Sequence, residues 1–287
     1  MQSNNLTDVS YIKGLLARHK FRFSKEFGQN FIIDPEVCPR MVSEAGITEA
    51  YNVLEIGPGV GVLTTELARR AKKVVAIEID KHLKPLLAET LADYDNVQVV
   101  FGDALKLNLH ELLKEHFTEG EPVAVCANLP YYITSPVLMK LLEEKLPVEQ
   151  ITVMVQKEAA QRLLAKQQSR EVGAITMAVY YYAEGKILFD VQPSAFMPPP
   201  KVVSSVIKLN PRKNTEFLPS DEKVLFAVIK AAFSQRRKTA ANAISAGLKL
   251  PKEQVQRALV GAGIGVMERP EQIALQQYVE LSNILFK

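Results

Sequence analysis

At 287 residues, 47% apolar and 23% charged, the chain has the makeup of a globular protein with room for one core domain and a small appendage, and no apolar run reaches the roughly 18 residues of a membrane span. Two distant cysteines, Cys38 and Cys126, and four scattered histidines, His19, His82, His110 and His116, support neither a disulfide framework nor a metal-ligand spacing, so no metal is expected. The net charge of +3 is uneven: residues 1–30 carry about +3, 31–200 about −7 and 201–260 about +8, which suits either a polyanion lying across an acidic middle or an unevenly charged solvated surface.

The start, MQSNNLTDVS, lacks the basic segment and apolar core of a signal peptide, so a cytoplasmic protein with no membrane partner is expected. A short amphipathic helix over Val9 to His19 leads into FRFSKEFGQNFIIDPEV, where Phe21, Phe23, Phe27 and Phe31 are too many aromatics for a free tail; residues 1–34 therefore read as a docked arm. Asp34-Pro35 reads as a helix start with Asp as cap, the helix running to about Ala45. Nearly continuous Val/Ile/Leu strands near Val53, VVAIEID, VQVVFGD, VAVCANL and ITVMVQ then alternate with helices near Thr64–Arg70, Leu83–Leu91, His110–His116 and Pro136–Glu144. That alternation predicts a doubly wound α/β fold with a parallel sheet covered on both faces, spanning 35–210. After a helix over Lys157–Lys166, the segment AITMAVYYYA and the strands KILFDV and VVSSVIKL are expected to extend the sheet, the last pair antiparallel. Pro211 to Pro219 reads as a linker, and from Ser220, taken as a cap, residues 220–287 read as a small all-helical domain with helices over Lys223–Phe233, Lys238–Ala246, Lys252–Gly261 and Glu271–Leu285.

The stretch NVLEIGPGVGVLTTELA, from Asn52 to Ala68, is a strand, a glycine turn and a helix start. Gly57, Gly59 and Gly61 allow positive φ and let a ligand approach the backbone. Val62 stands where a dinucleotide fingerprint needs its third glycine, and no Lys-Ser/Thr pair follows, which counts against NAD and against a P-loop. The turn instead resembles motif I of S-adenosylmethionine-dependent methyltransferases. In such a sheet, ligands sit at the carboxyl ends of the strands. Glu78 ends the second strand, where a carboxylate can accept from both hydroxyls of a ribose. Asp103 ends the third, in reach of an adenine amino group; capping of the next helix is the local alternative for both.

The fourth strand ends in Asn128-Leu129-Pro130-Tyr131. A purine amine is a poor nucleophile because its lone pair is delocalised into the ring. The Asn128 side-chain oxygen and the Leu129 carbonyl can hold its hydrogens and bring the lone pair forward, while Tyr131 stacks on the base. The alternative is a Pro-containing turn with an ordinary buried tyrosine.

FGQNFI, EIGPGVGVLT, AIEID, GDAL, NLPYYITSP, VQKE, FMPPPKV and FSQRRKT, in that order, resemble the rRNA adenine-N6 dimethyltransferase family, most of all its bacterial small-subunit (16S) members, over nearly the whole chain. The resemblance implies a methyltransferase core with S-adenosylmethionine held by Asn30, Ile32, Gly57, Glu78, Asp103 and Asn128. It implies a target base held by Asn128, Leu129 and Tyr131 and closed over by Phe196. It also implies dimethylation of two neighbouring adenosines of 16S rRNA in an immature small ribosomal subunit, by a monomer. Arg236, Arg237 and Lys238, read as the end of the first helix of the C-terminal domain, are expected on RNA phosphates, though cations at a helix C-terminus also have a local reason. QQSREVG at Gln167–Gly173, Val203 and Ala240 depart from the family pattern without touching these positions. The rivals are the large-subunit resistance methyltransferases, a non-catalytic RNA-binding factor and a small-molecule amine methyltransferase.

Overall fold

The computed structural model describes residues 5–22, 28–213, 216–235 and 237–286. They form two compact units: one of the residues up to Ala160 with Gly185–Pro211, the other of Gln161–Glu184 with the residues from Arg212 onward. Among the described residues no helix is long and apolar enough to cross a membrane, and no cluster of three His, Cys, Asp or Glu side chains is placed to hold a metal.

The first unit opens with α1 (Val9–Arg18), started by Asp8, whose side chain accepts from the Tyr11 N–H at 2.8 Å, and turned inward through Ile12, Leu15 and Leu16. Arg18 and His19 both reach Glu89, His19 Nε2 at 2.6 Å, and Phe21 packs against Phe31. Phe23 and Phe27 lie outside the described residues. The two-residue strand β1 (Phe31–Ile32) follows. α2 (Val37–Ala45) starts later than the Asp34 cap implies: Asp34 Oδ1 accepts from the Glu36 N–H at 3.0 Å in a turn, and Glu36 occupies the cap position with no side-chain bond.

The alternating elements are β2 (Asn52–Ile56), α3 (Val62–Arg70), β3 (Lys73–Glu78), α4 (Lys84–Thr90), β4 (Val97–Phe101), α5 (Leu109–His116), β5 (Val123–Asn128), α6 (Thr134–Glu143), β6 (Gln150–Gln156) and α7 (Lys157–Leu163). After α8 (Ala174–Tyr182) come β7 (Ala183–Val191), β8 (Phe196–Met197) and β9 (Ser204–Pro211). The main sheet has the order β4-β3-β2-β5-β6-β9-β7, with β4 to β6 parallel and β9 antiparallel to β6. β2, β3, β5 and β6 are buried almost throughout, as strands covered on both faces must be, while β4 at the edge is only partly covered. The mixed α/β architecture is the one expected from the alternation. Because β3 and β4 lie on one side of β2 while β5 and β6 lie on the other, the winding reverses between β2 and β5, and a crevice opens where Gly57 and Asn128 emerge.

AITMAVYYY does not extend the sheet, which the predicted segment joins only at its final Ala183, the first residue of β7. It forms α8, in the second unit, opened by the Thr176 hydroxyl, which accepts from the Gly173 N–H at 3.0 Å and donates to the Arg162 carbonyl at 2.6 Å. A short segment apolar on every face has no period to separate strand from helix. Tyr181 and Tyr182 both bond Glu222 at the start of α9 (Glu222–Ala232), at 3.1 and 2.6 Å, so α8 packs on α9 and α12 (Leu275–Leu285), which α10 (Ala240–Leu248) and α11 (Lys252–Gly261) join to complete the C-terminal helices. The α9 cap is Asp221, accepting from Lys223 and Val224, and not Ser220, whose N–H goes to Asn283. The atypical Gln167–Gly173 loop is tied to this unit: Gln167 Oε1 accepts from the Leu275 N–H at 3.1 Å and Gln168 Nε2 donates to the Gln272 carbonyl at 3.1 Å.

Candidate active site

The turn after β2 holds Gly57, Gly59 and Gly61 at φ of 75°, 59° and 94°, a region L side chains rarely adopt. A Cβ on Gly57 would meet nothing within 4 Å, and one on Gly59 would press on the Phe31 ring at 3.1 Å. Gly57 and Gly59 floor a cavity of about 250 Å³ at the carboxyl ends of β2 to β5, while Gly61 packs against Thr90 and Leu91. Asn30, Ile32, Gly57, Glu78, Asp103 and Asn128 all line it, as do Leu129, Tyr131 and Phe196. Sequence reasoning gathered these nine residues from six separate segments, and the fold brings them to one hollow.

The arm reaches the cavity through two anchors. Gln29 Nε2 donates to Asp80 Oδ2 at 2.8 Å, and β1 pairs antiparallel with β8, placing Ile32 opposite Phe196. Asn128 Nδ2 donates to the Asn30 carbonyl at 3.3 Å. With its N–H end used there, the Asn128 amide presents its oxygen as an acceptor. Leu129 and Phe196 are buried, and Tyr131 is half-buried with its phenol 2.8 Å from Ser204 Oγ.

Two carboxyls in the cavity wall are perturbed. Glu78, 5% exposed, accepts from the Gly59 N–H at 3.2 Å and the Asp80 N–H at 2.8 Å, yet burial pushes its pKa up to about 7. Glu55, the next-to-last residue of β2 and 1% exposed, has no hydrogen-bond partner on either oxygen, and burial pushes it up to about 8. The Thr64 hydroxyl beside it eases this only in part, standing outside hydrogen-bond geometry. A buried carboxyl facing a cavity without a partner fits a ligand carrying positive charge. Asp103 is both cap and cavity group: Oδ1 accepts from the Leu105 N–H at 2.9 Å, and Oδ2 stands 3.6 Å from Lys106 Nζ.

Residues 20–287 match the family of ribosomal RNA adenine dimethylases. The chain belongs to that family. Among its relatives, a "Ribosomal RNA small subunit methyltransferase A" from Geobacillus thermodenitrificans is 47% identical over 95% of this chain and 94% of its own. One from Alkaliphilus metalliredigens is 45% identical over 97% of each. Of solved structures, a dimethyladenosine transferase from Plasmodium falciparum superposes with a TM-score of 0.71 at 25% identity, covering 87% of this chain and 95% of that one. The 23S rRNA methyltransferase ErmE gives 0.64 at 28% identity, covering 90% and 100%.

For this dimethylase, the sequence reading missed Glu55 in the cavity wall and two supporting bonds behind it. Glu55 was visible as a charged residue inside an apolar strand, a costly placement that asks for a reason. Ser204 and the Gln29–Asp80 link carry no local signal, because each matters only through a partner distant in the chain. In the second unit, Arg237 and Lys238 are exposed but do not end a helix: α9 stops at Ala232, where the Ser234 hydroxyl donates to the Ala231 carbonyl at 2.7 Å, and Thr239 already caps α10. Arg236 lies outside the described residues. Lys238 therefore stands just before a helix N-terminus, where the dipole disfavours a cation, and the local reason for these charges disappears.

Proposed function

We propose that this dimethylase transfers methyl groups from S-adenosylmethionine to N6 of two neighbouring adenines near the 3′ end of 16S rRNA, acting in the cytoplasm on an immature small subunit, as a monomer and without a metal. The observation that carries the reading is the single cavity joining the glycine turn, Glu78 and Asp103 to the Asn128–Tyr131 segment. The small-subunit substrate is favoured over the large-subunit one by the 45–47% identity to small-subunit enzymes, against 28% to ErmE.

When bound, S-adenosylmethionine supplies an electrophilic methyl group on a cationic sulfur. Gly57 leaves room for it, Glu78 accepts from its ribose hydroxyls, and Asp103 Oδ2 accepts from its adenine amino group. Glu55 offers the buried counter-charge. Asn128 Oδ1 and the Leu129 carbonyl accept the hydrogens of the target amine, so its lone pair faces the methyl group, and Tyr131 and Phe196 hold the ring. No strong base is required, because the lone pair attacks before any proton is lost and the acidic methylated nitrogen then sheds its proton to solvent, so rate comes from alignment and from fixed acceptors. Small-subunit rRNA from cells that lack adenine dimethylation but express this chain is expected to carry two adjacent dimethyladenosines. The same rRNA left unmodified by the folded protein would contradict the reading.

Glu55 and Glu78 give a pH dependence with a definite sign. In the unfolded chain both titrate near 4.5, while in the ligand-free fold they titrate near 8 and 7. Raised folded pKa values contribute stability that is full below the unfolded value and lost as pH rises through the folded ones. The ligand-free protein should therefore lose thermal stability from about pH 5 to about pH 8. A cationic ligand favours ionised carboxyls, so calorimetry should show proton release on S-adenosylmethionine binding and tighter binding as pH rises from about 6 to 7.5. Glu55→Gln should flatten both trends.

Arg237 and Lys238 are assigned to RNA phosphates. Binding of rRNA should weaken steeply with salt, and replacing both residues by alanine should reduce the slope of log K against log salt by about 2. Filter binding across a salt series measures this, and an unchanged slope would remove both residues from the RNA contact.

A further inference from the structure

Tyr131 presents an aromatic face to the cavity from a short 3-10 turn, Tyr131–Ile133, directly after Pro130. A tyrosine there is half-buried and has two soft side-chain torsions, so nothing in the turn itself fixes the plane of its ring. Its one polar atom is held at 2.8 Å by the hydroxyl of Ser204, which is 0% exposed. Ser204 sits at the start of β9, opposite Gln156 of β6, in a strand flanked on both sides within the sheet.

That strand start is itself pinned. Ser205 Oγ donates to Asp190 Oδ1 at 2.6 Å, Asp190 Oδ2 receives Lys157 Nζ at 2.6 Å, and the Lys157 N–H donates to the Val203 carbonyl at 2.9 Å. Successive serines on a strand point to opposite faces. Ser205 thus ties β9 to β7, and Ser204 on the other face reaches the tyrosine. Phe196, the other ring assigned to the target base, begins the same chain segment that ends at Ser204. One stretch of nine positions therefore supplies one ring and anchors the other.

We propose that Ser204 is a positioning residue for methyl transfer, its buried hydroxyl fixing the ring of Tyr131 in the plane on which the target adenine stacks. The proposal rests on the reading of Tyr131 as the stacking platform. The ring loses its freedom before substrate arrives, so the ordering cost does not fall on the step that aligns the amine. Loss of the hydroxyl leaves the half-buried phenol able to meet water, so alignment suffers more than stability.

The test is a double-mutant cycle on the full chain with small-subunit substrate and saturating S-adenosylmethionine. Ser204→Ala is expected to lower kcat by roughly 2- to 12-fold, with the Kd for S-adenosylmethionine unchanged and the thermal midpoint little changed. In a Tyr131→Phe background the same substitution should have no further effect, since the bond is already gone. A direct readout of the anchor is the phenol titration of Tyr131 followed by NMR of ring-labelled tyrosine: the Ser204 bond lowers that pKa, so Ser204→Ala should raise it. Equal kcat losses in both backgrounds, or an unmoved titration, would overturn the proposal. If Tyr131→Ala keeps full activity while the titration still moves, it is the stacking reading that fails, and the anchor stands as a structural bond only.

Discussion

Asn128→Ala is expected to reduce the rate of methyl transfer on the order of 10²- to 10³-fold, the loss seen when a fixed polar group aimed at a developing charge is removed. The reason is local. Asn128 closes β5, its N–H end is committed to the Asn30 carbonyl at 3.3 Å, and its oxygen is left as an acceptor, which the proposed mechanism gives to the target amine. Alanine removes the acceptor and also one bond between the arm and the cavity wall, the Gln29–Asp80 bond and the β1–β8 pairing remaining. Single-turnover rates with bound RNA separate the two effects: affinity for rRNA should stay nearly intact, because phosphate contacts are assigned elsewhere, while the chemical step collapses. Activity close to that of the parent chain would remove the amide from the mechanism.

Glu78→Gln should act on the other substrate. The carboxylate loses its charge but keeps its shape, so one oxygen can still accept from a backbone N–H while the paired acceptance from a ribose is broken. Hydrogen bonds to a charged acceptor are worth about 1.5 to 3 kcal/mol each, so S-adenosylmethionine binding should weaken by roughly 10- to 100-fold. The loss should appear chiefly in KM for S-adenosylmethionine, with kcat at saturation much less affected. Calorimetric Kd and steady-state kinetics on the same preparation check it, and an unchanged Kd would take Glu78 out of the cofactor site. Asn128 and Glu78 thus make a contrasting pair, one felt in kcat and the other in KM.

Much of this was legible in the chain because the informative features are local. Runs of Val and Ile broken by Gly and Asp mark buried parallel strands, and a glycine turn directly after the first of them marks the ligand end of the sheet. Asn-Leu-Pro-Tyr could be gathered as one candidate site because its four residues are adjacent in the chain and line one cavity together. What failed was decided elsewhere. AITMAVYYY is apolar on all faces, and only the Tyr181 and Tyr182 bonds to Glu222 and the Thr176 link to Arg162 give it a helical place among the C-terminal helices. Asp34 looked like a helix cap, yet its side chain serves a turn that ends before the helix begins. Arg237 and Lys238 looked like helix-end cations because no residue nearby announces that α9 stops at Ala232. Ser204 and Glu55 owe their interest to depth, one as a buried partner and one as a buried charge without a partner, and depth belongs to the assembled fold.

The most direct measurement of the central claim is transfer of labelled methyl from S-adenosylmethionine to immature small subunits, large-subunit rRNA and free adenosine in parallel, followed by nucleoside analysis. The account predicts dimethyladenosine in the small-subunit rRNA alone. Label in the large-subunit rRNA would contradict the assigned substrate, and no label in any of the three, from protein that still binds S-adenosylmethionine, would contradict the assigned chemistry.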